Sequence, residues 1–287
     1  MDAQSALGWS LALNLGFLAV EVGVGVWTGS LALQSDAAHM VSDVSALALA
    51  LGAARVARQR FAGGTYGLGR AEVLGAFVNA VALLAVCGWL VWEAVERLAT
   101  TAPVVPGVPV LVVGGIGLAI NLGSAWVLYR SDPDDLNVRG ALLHMLGDAL
   151  GSVAAMLAAV GLLLGYSVAD PIASVVVAGM VAVGAARLVR DAGRILLELP
   201  PPGVDVLAVR AALSAIDGVT EVHDLHVWSV DGRQTLVSAH LVVAETHPSE
   251  GTCLRAHEVL DGLGMAHATV QIERGTRCAV RCEAAHG

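Results

Sequence analysis

Six apolar runs, each long enough to cross a bilayer, fill the first two thirds of the chain, at about 7–28, 36–56, 71–95, 107–130, 138–164 and 170–192. Lipid offers no hydrogen-bond partners, so a crossing segment must satisfy its own backbone, and runs of this length predict α-helices. Only 14% of the residues are charged and 56% are hydrophobic, against roughly a quarter charged in a soluble domain. The mean hydropathy is +0.72. The 33 glycines suit close helix–helix approach in a membrane. The stretches "TGSLALQSD" and "GYSVADP" predict short turns between segments 1 and 2 and between 5 and 6, and "TTAPVVPGVP" a Pro-rich turn between 3 and 4.

Every basic residue is arginine, and their placement predicts orientation. Arg55, Arg58, Arg60 and Arg70 lie between segments 2 and 3, Arg130 and Arg139 between 4 and 5, and Arg187, Arg190 and Arg194 at the end of 6 or after it; only Arg97 falls on the other side. The positive-inside rule then puts both termini in the cytoplasm, in agreement with an even number of spans. The N-terminus has no basic region before its apolar run, so no cleaved signal peptide is expected.

Near residue 200, after "LELPPPG", the composition becomes that of a soluble domain. Residues 204–215 and 249–263 are helical in pattern. "VTEVHDLHVWSV" and "QTLVSAHLVVAE" alternate as strands around Asp231-Gly232, and "HATVQIER" is a final strand. Helix–strand–strand–helix–strand predicts a ferredoxin-like α+β domain. The expected division is therefore a six-helix membrane domain over 1–198, a cytoplasmic domain over 199–275 and a Cys/His tail over 276–287.

Two of the apolar segments carry the same polar tetrad, His-Met-x-x-Asp: His39, Met40 and Asp43 in segment 2, and His144, Met145 and Asp148 in segment 5. Positions i and i+4 share a helix face. Two such helices packed together offer two imidazoles and two carboxylates around one point, a tetrahedral N/O set that suits Zn²⁺, with Co²⁺ and Cd²⁺ as alternatives and Mn²⁺ or Mg²⁺ disfavoured. Ionisable groups at membrane depth are costly, which argues for function here. Metal and protons compete for the same ligands, so a site exposed alternately to the two sides exchanges Zn²⁺ for H⁺. Asn14-Leu15-Gly16 in segment 1 recurs as Asn121-Leu122-Gly123 in segment 4, so segments 1–3 and 4–6 read as related halves, as in many transporters.

Met40 and Met145 point about 100° away from their histidines and read as core fillers, as does Cys87. Asn14 and Asn121 are expected to hydrogen-bond between helices, and Asp36 and Ser42 to line an access route; Glu21 faces either an aqueous vestibule or an arginine. A net charge of −9 gives no footprint for nucleic acid, and four cysteines are too few and scattered for a disulfide scaffold. An intramembrane metalloenzyme needs a base beside an open metal position, typically HExxH, which is absent. A metal-selective channel needs no proton-competing ligands.

Taken together, "LNLGFLAVEVGVG", "GSLALQSDAAHMVSD", "YGLGRAEVLGAFVN", "LLHMLGDALGSV", "DPIAS" and "VHDLHVWS" resemble the cation diffusion facilitator family, in its zinc-transporting branch, over nearly the whole chain. The resemblance implies a homodimer of six-helix protomers in the cell membrane, metal/proton antiport, and a cytoplasmic domain that binds regulatory metal. It places the transport site on His39, Asp43, His144 and Asp148. In the cytoplasmic domain it points to His223, His240, His257 and Glu273 as ligands, with Gln271 standing where one relative has a ligand. It makes Arg70 and Glu198 candidates for a charge interlock. The loop "ARQRFAGGTYGLGRAE" lacks the Asp and His of a second family site, and "YRSDPDDLNVRG" lacks the histidines many relatives carry, so neither is expected to bind metal; the acidic turn at Asp132, Asp134 and Asp135 reads as solvated. His226, beside Trp228, reads as a structural partner, and His267 opens the last strand. In the tail, Cys278, Cys282 and His286 would line one face of a helix and could hold Zn²⁺.

Overall fold

The computed structural model describes residues 3–42, 44, 66, 69–100, 104–131, 136–232 and 234–275. Contacts divide the chain into two units, Met1–Leu49 with Val78–Val189, and Ala50–Phe77 with Arg190–Gly287.

The first unit is helical. Its elements are α1 (Ala3–Thr28), α2 (31–42 in its described part), α3 (Gly69–Ala99), α4 (Gly107–Ser131), α5 (Leu136–Leu163) and α6 (Ala169–Leu196), the ends of α3 and α6 belonging to the second unit. Among the described residues, four stretches have the length and hydropathy of a membrane span: Val73–Ala99, Gly107–Val127, Met145–Leu163 and Ala169–Leu196. Leu15–Thr28 of α1 is a shorter apolar stretch. Large apolar side chains such as Leu13, Leu157 and Met180 face outward, as expected where the solvent is lipid. Trp27 and Trp92, near the ends of α1 and α3, and Tyr166, in the turn before α6, are exposed at levels suited to an interfacial belt. The Arg130 guanidinium lies 4.3 Å over the Trp126 ring on α4.

The interior of this unit is built from small residues. Ala155, Ala158 and Ala159 of α5 meet Val110 and Val113 of α4, with Phe17, Leu33 and Met40 around them. A Cβ at Gly114 would stand 3.0 Å from Met156, and one at Gly117 would strike the Phe17 ring, so only glycine admits these approaches. Cys87 and Met40 are buried core residues, as their sequence context predicts.

The start of α2 differs from expectation. Its helix begins at residue 31, not near 36, and the connection from α1 shrinks to Gly29, at φ 70°, and Ser30. The reason is tertiary. Asp170, in the first turn of α6 and fully buried, accepts hydrogen bonds from the Ser30 hydroxyl (2.5 Å), the Leu31 N–H (2.8 Å) and the Ala32 N–H (3.3 Å). A carboxylate from one helix thus caps the N-terminus of another, satisfying donors that would otherwise be orphaned and placing negative charge at the positive end of the dipole. One turn on, Ser35 Oγ and Ser174 Oγ are 2.7 Å apart. Arg97 donates to the Gly29 carbonyl (2.7 Å) and pairs with Glu93, which closes the C-terminal end of α1.

In the second unit, α7 (Val206–Ser214) is capped by Asp205, whose side chain accepts from Leu207 N and Ala208 N. Strands β1 (Val219–Ser229), β2 (Thr235–Val243) and β3 (His267–Arg274) form a sheet in that order, β1–β2 antiparallel and β2–β3 parallel, with α8 (Ser249–Gly262) as the crossover. The predicted order of elements is obtained, with boundaries within a few residues. Val237, Ala239 and Leu241 of β2 pack with Val209 and Leu213 of α7 and Ala256 and Leu260 of α8. The even-numbered residues of β2, His240 among them, take the opposite face. The end of α6 closes in a Schellman arrangement, with Leu199 N on Arg194 O (2.9 Å) and Glu198 N on Ile195 O (3.1 Å). Glu198 takes the left-handed position there, at φ 59°.

Candidate metal sites

The intramembrane site is assembled from α2 and α5. His39 Nε2 lies 3.5 Å from Asp148 Oδ1. Two ligands about 2.0–2.1 Å from one tetrahedral Zn²⁺ are about 3.3 Å apart, so this pair spans one edge of such a polyhedron. Asp148 is nearly inaccessible and His39 partly open, as a site reached from one side requires. Asp43 and the side chain of His144 lie outside the described residues; the backbone of His144 is helical within α5. His39, Asp36 and Ser42 line one cavity of about 260 Å³ with Gly147, Gly151 and Met180.

Two features here were not legible in the sequence. Asn79 of α3 donates through Nδ2 to the carbonyl (3.1 Å) and hydroxyl (2.9 Å) of Ser42, tying α3 to the helix that carries His39. Its only signal was a polar residue in an apolar run. Glu21 is fully buried beside Asp36, not in a vestibule, and among the described residues its carboxylate faces no arginine and accepts no hydrogen bond. Asp36 in turn occupies the space that a Cβ at Gly151 would need. Glu21, Asp36 and Asp148 bring three carboxyl groups into this interior. Asn121 is buried on α4, and its Oδ1 has no partner among the described residues; the side chain of Asn14 lies outside them.

In the second unit, sheet register assembles another donor set. His223 pairs across to His240, and His240 to Gln271, with Glu273 two residues further along β3. His223 Nε2 is 3.0 Å from Glu273 Oε2, and His240 Nδ1 is 3.0 Å from Glu273 Oε1. The nearest donor atoms of the three residues lie within 4.8 Å of one another. The His240 Nδ1 contact lacks hydrogen-bond alignment, so a buried ring nitrogen faces a carboxylate oxygen without a bond between them. That orphaned atom, and spacings close to a zinc edge, fit a divalent ion held by His223, His240 and Glu273, with His donors on two strands bridged by one carboxylate. Gln271 donates to Glu273 Oε1 at 2.9 Å, and so supports this carboxylate from beside it.

His257 stands apart from these three. It belongs to α8, on the helical layer, with Nδ1 2.9 Å from the Cys253 carbonyl and Nε2 3.3 Å from the Ala268 carbonyl. Cys278, Cys282 and His286 lie outside the described residues. His226 is bonded to Asp224 at 2.9 Å. That bond, with the nearby charges of His226, His240 and His223, holds the Asp224 carboxyl below the usual carboxylate range against a smaller opposing effect of burial. Arg70 and Glu198 form an ion pair at 2.6 Å, both well exposed; exposed pairs contribute about 0–1 kcal/mol.

Residues 8–197 match the profile of the cation efflux transmembrane domain, and residues 201–275 that of the cation efflux protein cytoplasmic domain. The zinc transporter ZitB of Escherichia coli (strain K12) is 38% identical over 270 residues, covering 92% of this chain and 86% of the relative. The cadmium, cobalt and zinc/H(+)-K(+) antiporter of Bacillus subtilis (strain 168) is 35% identical over 271 residues, covering 92% and 87%. The zinc transporter ttm-1 of Caenorhabditis elegans is 32% identical over 295 residues, covering 94% and 71%.

Proposed function

Because this chain belongs to the cation efflux family, we propose that it exports Zn²⁺, with Co²⁺ and Cd²⁺ as further substrates, in exchange for protons. That it is a multi-pass membrane transporter of metal cations, and not an enzyme, follows from the family itself. The observation that carries the finer reading is the 3.5 Å approach of His39 to Asp148 across two membrane helices. His39, Asp43, His144 and Asp148 hold the transported ion. Protons replace it when the site faces the other side, since an imidazole or carboxylate must lose its proton to bind metal. The protein works as a homodimer in the inner membrane with both termini in the cytoplasm, where the arginine bias puts them. His223, His240 and Glu273 bind a regulatory ion that ties β1 to β3, with His257 and the tail residues Cys278 and Cys282 as further cytoplasmic donors. The membrane domain ends at 198 and the cytoplasmic domain at 275.

The test is Zn²⁺ uptake into proteoliposomes under an imposed pH gradient, comparing wild type with Asp43→Ala and Asp148→Ala. Uptake that follows the gradient and vanishes in both variants, with the fold retained, is the expected result. Uptake indifferent to pH would turn the reading toward a channel, and wild-type flux in either variant would remove the assigned site.

A further inference from the structure

The His226–Asp224 pair belongs to no function assigned so far, and its geometry is unusual. Pairing of β1 with β2 shifts register between His223 and His226. Within that bulge Asp224 sits at φ 49°, the left-handed region that costs a side-chain-bearing residue energy, with Asp and Asn among the most tolerant. In a regular strand Asp224 would point to the face opposite His223. The bulge instead brings its carboxylate to the histidine face. There Oδ1 meets His226 Nε2 at 2.9 Å and Oδ2 lies 3.6 Å from His240 Nε2.

His240 is therefore flanked on both ring nitrogens, Asp224 on Nε2 and Glu273 on Nδ1. A neutral imidazole carries one proton, and a carboxylate beside one nitrogen favours the proton there. Glu273 is the nearer of the two, so Nδ1 is freed when a divalent ion engages Glu273, and the proton then sits on Nε2 against Asp224. The other nitrogen is then left with its lone pair. At 3.6 Å the Asp224 carboxylate acts through charge and not as a full hydrogen bond, and His226 fixes where that charge sits.

We propose that Asp224 is a positioning residue for His240: anchored by His226, it holds the imidazole proton on Nε2 and presents Nδ1 to a divalent ion shared with His223 and Glu273. This rests on the reading of those three residues as a metal site. Carboxylates that orient metal-bound histidines change affinity about 10–100-fold when altered.

The experiment uses the full chain in detergent with Co²⁺ as the probe, read by its d–d absorption, together with ¹⁵N chemical shifts of the histidine rings in the Zn²⁺-loaded protein. His240→Ala is expected to lose one bound Co²⁺ that wild type retains. Asp224→Asn, which suits the left-handed position, is expected to keep that ion but bind it about 10–100-fold more weakly, with the His240 Nε2–H resonance shifted and the fold retained. His226→Ala, at a half-exposed position, is expected to move both readouts in the same direction and less far. Unchanged affinity and an unchanged Nε2–H resonance in Asp224→Asn would overturn the positioning role while leaving the metal site standing. Full Co²⁺ retention in His240→Ala would overturn the metal site, and the positioning role with it.

Discussion

Replacing Asp170 by Asn should weaken the membrane unit sharply for so conservative a change. Both oxygens of Asp170 are in use: Oδ1 accepts from Ser30 Oγ and Ala32 N, and Oδ2 from Leu31 N. An amide has one acceptor oxygen, so its NH₂ must face one of these donors. A buried donor left without an acceptor costs about 1–3 kcal/mol. Loss of the negative charge at the start of α2 removes up to about 2 kcal/mol more at a buried helix terminus. The sum is about 1–5 kcal/mol, and Asp170→Ala, which strands all three donors, should cost more. For a protein of this size, each kcal/mol corresponds to roughly 2–4 °C in the unfolding midpoint, so Asp170→Asn should melt at least about 2 °C below wild type in detergent. Metal binding at His39 should weaken as well, because α2 carries that ligand two turns beyond the cap. A midpoint within about 1 °C of wild type would refute the capping argument.

Gly151→Ala forces a Cβ onto the Asp36 carboxylate, whereas Gly123→Ala meets open space; the first should cost about 1–3 kcal/mol and depress transport, the second should do neither, and thermal melting with vesicle flux separates them. Asp224 has its pKa lowered in the folded state, so the stability it contributes is complete above its unfolded value of about 4 and is lost as pH falls through the lower folded value. Melting of the cytoplasmic domain, followed from pH 6 to 2.5 in the full chain, should therefore fall more steeply below about pH 4 in wild type than in Asp224→Asn. His39→Asp exchanges an imidazole for a hard oxygen donor and should shift preference toward Mn²⁺ or Fe²⁺; an unchanged order in competition flux assays would show that His39 does not select the metal.

The cytoplasmic elements were legible almost to the residue, because alternation and the Asp231-Gly232 turn are local signals. The tetrads were legible because i, i+4 spacing carries its geometry with it; the structure brings His39 of one within 3.5 Å of Asp148 of the other. The start of α2 was misjudged because its cap comes from Asp170, far along the chain. Glu21 was unreadable for the same reason, its neighbour Asp36 being on another helix. Alternation would also have turned Asp224 away from the histidines; only the bulge returns it.

The sequence by itself determined what period, spacing and apolar length can encode: helices that cross a membrane, a small α+β domain after them, and two matched His-Met-x-x-Asp tetrads. These follow from residues within a few turns of one another, where the backbone alone sets which side chains share a face. Tertiary structure decided which helix is capped by which carboxylate, which glycine makes room for Asp36, and which side of His240 faces Glu273. Those depend on groups brought together by packing from distant parts of the chain, and no local pattern records that meeting.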